Sequence, residues 1–358
     1  MDFLNRSLKK TFSLLLLLFL LSSLSACQIG YLLKSANGEI SILVHRVPVE
    51  EALKNPKITE EEKRKLALAQ EARSFSESKM KLVATKNYST YVALDRPYVS
   101  YVVSAAPKWN LTHFKWSFPF VGEVPYKGYF NEEDAKEEAK ELQEQGLDTY
   151  LRGVSAFSTL GWFNDPLLSS MLRSGDHDLV NTIIHETTHA TLYIKNSSDF
   201  NERLAVFVGN LGTEKFYLNK EGADSPTLKL IHQENEDEKL FSEFISQELK
   251  ILDQWYQSNP PKNEEDRVQK FKMVQQKFQT NVLPKMQTSH YARFQEIPLN
   301  NARLLIYKTY MTDLSLFEQL YNLSNKDMTV FLDHCKSLEK HPHPEEGLKE
   351  ILVFLLKK

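Results

Sequence analysis

The chain has 358 residues, 42% of them hydrophobic and 25% charged, with a formal net charge of -3 at pH 7. That composition excludes an intrinsically disordered chain and provides for a sizeable core in one large domain. No long single-sign run of lysine and arginine is available to track a phosphate backbone, which excludes nucleic acid as a partner.

Arg6, Lys9 and Lys10 form a basic stretch ahead of an apolar run from Phe12 to Leu21. The run falls short of the roughly 20 residues that a membrane-spanning helix needs, so it reads as the core of a signal peptide over residues 1–26. Leu24-Ser25-Ala26-Cys27 has the form of a lipobox, with small residues for the signal peptidase and a thiol that takes a diacylglyceryl group. The mature chain is then expected to begin at Cys27. Its acyl chains would anchor it to the lipid bilayer of a bacterial cell envelope, facing the periplasm or the exterior. A plain secretory signal with an incidental cysteine is the competing reading. Only one other cysteine exists, Cys335, so no disulfide framework is possible and Cys335 is expected as a buried apolar residue.

Gly38 to His45 alternates and runs apolar as a short strand would, and Pro48 opens a helical stretch that resumes after Lys57 and runs from Glu60 to about Lys81. Tyr98 to Ser104 is rich in β-branched and aromatic residues, and shorter strands are expected over His113–Phe118 and Tyr150–Ser158. Between them, Asn131 caps a charged, solvated outer helix that stops at Gly146, with Asp134 placed as in a capping box. From Leu228 to Tyr256 apolar residues recur at helical spacing, Pro260-Pro261 breaks the run, and a second helix reaches Val282, giving an antiparallel helical hairpin. Short helices punctuated by Pro342 and Pro344 occupy Ala302 to Lys358. The predicted class is α+β, one domain over residues 27–358 with a sheet-bearing part (27–175) and a mostly helical part (176–358).

His185-Glu186-Thr187-Thr188-His189 is an H-E-x-x-H motif. On a helix, positions i and i+4 project from one face, so both imidazoles can reach one Zn²⁺ while Glu186 sits beside the attacking water. The β-branched residues Ile183, Ile184, Thr187, Thr188 and Thr191 disfavour a helix by propensity. Asp176 and Asp178 nevertheless suit an N-terminus, and Val180, Ile184, Thr187, Thr191 and Ile194 form a stripe, so a buried helix is predicted from about Asp178 to Ile194. A third ligand is expected at Glu202, in Asn201-Glu202-Arg203-Leu204-Ala205, with Asp199 as its competitor. A helix, a turn and a second helix would bring either residue back to the histidines.

This arrangement resembles the glutamate-ligand zinc peptidases, whose second helix carries an N-E-x-x-A type motif. Twelve residues separate His189 from Glu202, fewer than in thermolysin-like members, so the connecting loop departs from that pattern. The resemblance extends over Cys27–Glu50, Asp95-Arg96-Pro97-Tyr98, Ser158-Thr159-Leu160-Gly161-Trp162-Phe163 and Leu299-Asn300-Asn301-Ala302 to a bacterial family described as Putative aminopeptidase. It implies a zincin-like fold and a zinc metallopeptidase of aminopeptidase type.

By analogy with the G-x-M-E-N strand of M1-type exopeptidases, Gly161 to Asp165 lies where an edge strand would pair with substrate, and Asn164 or Asp165 would hold a free α-amino group. A plain turn at Asn164-Asp165-Pro166 is the alternative. The oxyanion of a tetrahedral adduct needs a donor, for which the sequence offers His290, Tyr291, Tyr307 and Tyr310 without choosing. Asn300-Asn301 is expected to cap the helix that follows. His232, His334, His341 and His343 form no second ligand set, and Trp109 to Phe120 reads as core, sheet or the lining of a cleft. The expected function is a zinc-dependent peptidase of the cell envelope acting on peptides, with the peptide stems of the cell wall as one substrate class. The alternative is a lipoprotein whose zinc site is vestigial or structural and which binds a partner in the envelope.

Overall fold

The structure, a computed structural model, describes residues 30–118, 122–156, 164–310 and 314–357. It divides into two units, residues 1–46 and 47–358. In the first, residues 30–44 form a helix (α1), where the sequence predicts a strand over Gly38–His45. A lone strand leaves a row of backbone N–H and C=O groups unpaired, whereas a helix satisfies them within the segment. In its last turn the His45 imidazole Nδ1 lies 2.6 Å from the Ser41 carbonyl oxygen. Cys27 and the signal-like stretch lie outside the described residues, as do Gly161, Trp162 and Phe163. No described helix is long and apolar enough to cross a membrane.

The second unit opens with β1 (Val47–Pro48) and α2 (Val49–Ala52), followed by α3 (Glu60–Ser78). Thr59 and Glu62 start α3 by a reciprocal exchange: the Glu62 N–H donates to the Thr59 hydroxyl (3.2 Å), and the Thr59 N–H donates to the Glu62 carboxylate (3.0 Å). The strands are β2 (Thr90–Val92), β3 (Ser100–Pro107), β4 (Trp116–Phe118), β5 (Gly122–Val124) and β6 (Tyr126–Tyr129), then, after α4 (Glu132–Glu144), β7 (Leu147–Val154) and β8 (Leu167–Leu168). They make three small sheets ordered β1-β2-β8, β6-β3-β7 and β4-β5. The predicted strand at Tyr98–Ser104 overlaps β3, which starts two residues later and ends three residues later, and the one at Tyr150–Ser158 is offset, with β7 starting at Leu147 and ending at Val154.

In the central antiparallel sheet, β3 is paired on both sides and buried, and β6 is an edge. α4 covers one face. Its Ala135, Ala139 and Leu142 are buried, while most of its charged residues stay in water, as expected of an outer helix. Its Glu138 accepts from Lys127 Nζ (2.8 Å), the Tyr129 hydroxyl (2.5 Å) and the Trp116 indole N–H (2.8 Å), which ties the β6 edge and β4 to the helix.

The helical half runs α5 (Asp176–Thr191), α6 (Ser198–Glu221), α7 (Pro226–Ser258), α8 (Glu264–Asn281), α9 (Asn301–Tyr310), α10 (Ser315–Leu323), α11 (Met328–Ser337) and α12 (Pro344–Leu356). The architecture is α+β, with small sheets in the N-terminal half and helices in the C-terminal half. α7 and α8 form the predicted hairpin, closed over Phe241, Phe278 and Phe294 with ring centroids 5.0–5.7 Å apart in edge-to-face contact. Cys335 is fully buried on α11, as the sequence predicts.

α9 joins this helical core to the central sheet through the Leu299–Ala302 segment. Asn300 does cap α9, its side-chain oxygen accepting from the Arg303 N–H (2.8 Å). Asn301 does something else. It is fully buried, donates from Nδ2 to the carbonyls of Pro107 (2.9 Å), Lys108 (3.1 Å) and Asn110 (3.0 Å), and accepts from the Tyr256 hydroxyl (2.9 Å). Its own N–H donates to Asp148 (2.8 Å), a buried carboxylate gripped on both oxygens by Arg267 (2.5 and 2.9 Å). A burial this complete is tolerable only because each of these polar groups is paired.

Candidate active site

α5 is the element that propensity disfavours, and burial decides in its favour. Leu179, Val180, Ile183 and Ile184 are wholly inaccessible, so the helix is held by packing. Its threonine hydroxyls find acceptors within the helix: buried Thr187 donates to the Ile183 carbonyl (2.6 Å), buried Thr188 to Ile184 (2.9 Å) and half-buried Thr191 to Thr187 (2.7 Å). Two glycines of α6 let the second helix come close. A Cβ on Gly212 would stand 2.9 Å from a methyl of Ile184, and one on Gly209 would stand 3.1 Å from the Asn181 side chain.

The connection from Leu192 to Ser197 is short, and Asn201 sets its shape. The Ile194 N–H donates to the Asn201 side-chain oxygen (2.8 Å), and Asn201 Nδ2 donates back to the Ile194 carbonyl (2.8 Å). Asn196 takes the left-handed conformation that the turn requires (φ 61°). This pincer, on a residue 1% exposed, fixes the start of α6 and hence the neighbouring Glu202. The motif was visible in the sequence, but the role of its asparagine was not.

His185, His189 and Glu202 come together. The two Nε2 atoms are 3.2 Å apart, and the Glu202 oxygen lies 3.5 Å from His185 and 3.7 Å from His189. A tetrahedral zinc site with ligand bonds of about 2.0–2.1 Å has edges of about 3.3 Å, so three donors of the right kind already stand at its corners. Among the described residues this is the group able to hold a metal ion. Asp199, the competing candidate, is exposed on the first turn of α6 and is not among the three. The side chains keep 17%, 6% and 17% of their surface, so the group is sheltered yet reachable. His189 Nδ1 is buried with no hydrogen-bond partner among the described residues.

The electrostatics suit a cation. Burial pushes the Glu202 carboxyl up, but hydrogen bonds and charge from His185 and His189 outweigh it and hold the group at about 2. Burial pushes His189 down, and Glu202 and Glu186 more than reverse that, leaving it raised. Glu186 itself is raised, by burial first and by the nearby Glu202 and Asp165, against the lowering effect of the two histidines. Glu202 and Glu186 both act on the His189 imidazole, and a divalent ion at this point would be drawn by those carboxylates.

The other expected residues fall elsewhere. Asp165 is 1% exposed, with its N–H on the Asn87 side chain (3.0 Å) and its carbonyl accepting from Tyr88 (2.6 Å). Its charge acts on Glu186 from within the protein, while Asn164 beside it is exposed. His290 and Tyr291 line a cavity of about 110 Å³ with residues of α5, α6 and α7 such as Asn181, Asn210 and Glu238, and none of the three candidate ligands lines it. Tyr307 packs on Phe241 (5.4 Å) in the helical core, and the side chain of Tyr310 lies outside the described residues. Two tyrosines not singled out by the sequence do border the triad. Tyr193 has its ring 6.2 Å from that of His189, and Tyr126 lies within electrostatic reach of Glu202 and Glu186. Tyr193, two residues beyond α5, could have been suspected from its position; nothing in the sequence pointed to Tyr126.

The chain matches the family model described as Putative aminopeptidase over residues 30–349, nearly its whole length. It belongs to this family. The aminopeptidase description supports peptidase activity at a coarse level, and the match spans both the triad and the Asn301 network. No curated protein and no solved structure gives a significant match.

Proposed function

We propose that this member of the aminopeptidase family is a zinc-dependent peptidase of the bacterial cell envelope, lipid-anchored through Cys27. His185, His189 and Glu202 hold the metal, and Glu186 is the general base. The observation that carries the reading is the spacing of three donors, 3.2, 3.5 and 3.7 Å apart, with a carboxylate beside them that is not needed as a ligand. When bound, zinc supplies a Lewis acid that polarises a carbonyl and makes water more acidic.

The remaining work falls to side chains. Glu186 takes a proton from water as the water oxygen bonds to the peptide carbonyl carbon, and the carbonyl π pair moves onto its oxygen. When that pair returns, the C–N bond breaks, and Glu186 delivers the proton to the departing amine. The raised pKa of Glu186 in the metal-free protein arises from burial and neighbouring carboxylates, an environment that favours proton exchange once a cation offsets the charge. Cleavage at an N-terminal residue is the mode that the family description supports.

A purely structural or vestigial site is less consistent with these residues. Structural zinc is normally closed by four protein ligands, whereas three described donors leave a position for water or substrate. The test is metal analysis of the purified protein beside digestion of a peptide library. Wild type and Asp199→Ala are expected to carry about one zinc per chain and to cleave, and Glu202→Ala to lose both. Zinc retained in Glu202→Ala but lost in Asp199→Ala would overturn the ligand set.

A further inference from the structure

We propose that the cavity lined by α5, α6 and α7 is a subsite for a basic side chain, lysine or arginine, on the peptide residue next to the cleaved bond. The inference rests on the peptidase reading above and deepens it. Asp178, Asn181 and His185 follow one another on α5 at spacings of three and four residues, so they share one face of that helix. Asp178 and Asn181 line the cavity, and Asn181 lies about 6 Å along the helix axis from His185. An extended residue covers about 3.3 Å, so a peptide whose scissile carbonyl sits at the triad brings a neighbouring side chain within reach of the cavity.

The lining selects the ligand by charge and by hydrogen bonding. Asp178, Glu234 and Glu238 supply three carboxylates, and none of the described lining residues is a lysine or an arginine. Glu234 is engaged by His177 (2.8 Å). Glu238 Oε2 accepts from Asn210 Nδ2 (3.0 Å), and Asn210 Oδ1 accepts from Asn181 Nδ2 (2.8 Å). This relay leaves Asn181 Oδ1 and Glu238 Oε1 without a hydrogen bond among the described residues, so two acceptors in the wall stand open. Burial pushes the Glu238 carboxyl up, more than Asn210 and His290 pull it down. A cationic donor satisfies the open acceptors and the exposed charge together.

Other ligands fit the cavity less well. Three carboxylates repel an anion, and among the described residues it is the triad, not this lining, whose ligand atoms come close enough together to hold a metal ion. At about 110 Å³ the cavity exceeds what a single ordered water fills. Its wall is also not polar throughout. Ile231 is buried, and the Tyr291 ring, stacked 4.3 Å from that of Phe241, adds a flat apolar surface. That mixture matches a side chain with an aliphatic stem and a charged head, which is what lysine and arginine present.

The experiment uses the zinc-loaded full chain as wild type, as Glu238→Gln and, for a control, as Glu236→Gln, an exposed residue of α7 outside the cavity. The substrates are Ala-Xaa-Ala-Ala and Xaa-Ala-Ala-Ala, where Xaa is lysine or norleucine, which keeps the stem and lacks the charge. Wild type is expected to favour lysine about 10- to 100-fold in kcat/KM in one of the two series, the range of a hydrogen bond to a charged group. Glu238→Gln should lose most of that preference while cleaving the norleucine peptides within about twofold of wild type, and Glu236→Gln should keep it. Calorimetric affinities for the same peptides, measured in a Glu186→Gln background that suppresses turnover, should follow the same order. A wild type that cleaves peptides without preferring lysine in either series, or a preference that Glu238→Gln keeps in full, overturns the subsite and leaves the peptidase reading intact. A zinc-loaded wild type that cleaves no peptide overturns the peptidase reading, and calorimetry then decides the cavity. Lysine peptides bound more tightly than norleucine peptides, by a margin that Glu238→Gln removes, uphold a basic ligand, and equal affinities overturn it.

Discussion

Glu186→Gln separates an enzyme from a binding protein more sharply than any other substitution in this chain. Glutamine keeps the size and shape of the side chain and leaves His185, His189 and Glu202 untouched, so zinc content should stay at the wild-type level. The effect on stability follows from surroundings that raise the Glu186 carboxyl, burial first and then Glu202 and Asp165. A carboxyl raised in the folded state binds protons more readily folded than unfolded, so the charged form costs stability as pH climbs past the ordinary carboxylate value. At neutral pH the neutral amide relieves that cost, and the metal-free variant should melt at or above the wild-type temperature. Catalysis moves the other way. Loss of a general base costs about 10²- to 10⁴-fold, or about 2.7–5.5 kcal/mol on the barrier. The assay pairs peptide hydrolysis with zinc analysis and thermal melting on the same samples. Hydrolysis at the wild-type rate by zinc-loaded Glu186→Gln would refute the role given to this residue. A melting temperature several degrees lower would refute the electrostatic account.

Further predictions concern the frame and the anchor. Asn301→Ala removes four buried hydrogen bonds to Pro107, Lys108, Asn110 and Tyr256, at a net of about 1 kcal/mol each, so urea unfolding should report a loss of about 3–4 kcal/mol. A loss below about 1 kcal/mol would mean that the network does not hold α9 to the sheet. Burial pushes the Glu138 carboxyl up, but hydrogen bonds from Lys127, Tyr129 and Trp116 outweigh it and leave it lowered. Its contribution to stability is therefore full above the unfolded carboxylate value of about 4.3 and declines as pH falls through the folded value. Melting temperatures between about pH 6 and pH 3 should fall less steeply in Glu138→Gln than in wild type, and parallel curves would contradict this. Finally, Cys27→Ala should fail to incorporate labelled lipid and leave the detergent phase, and equal labelling of both proteins would remove the anchor.

Much of the site could be read directly because its chemistry is local. The spacing of His185 and His189 requires only that one helix form, and Asn201-Glu202 needs only a turn and a second helix to return to it. The α+β division and the α7–α8 hairpin were legible for the same reason, since each depends on periodicity within a segment. The strand predicted over Gly38–His45 is a helix because alternation states a preference, while a strand exists only if a neighbour accepts its hydrogen bonds. That Glu202 and not Asp199 lies beside the histidines follows from the turn of α6 that faces them, at whose start Asn201 is held to Ile194. Asn301 reads as a cap and proves to be a tie between α9, the end of β3 and α7, because its partners lie far away in sequence. The same holds for Glu238: only the packing of α7 against α6 sets it on Asn210 in the cavity beside α5, and packing is a property of the helices together, absent from either helix alone.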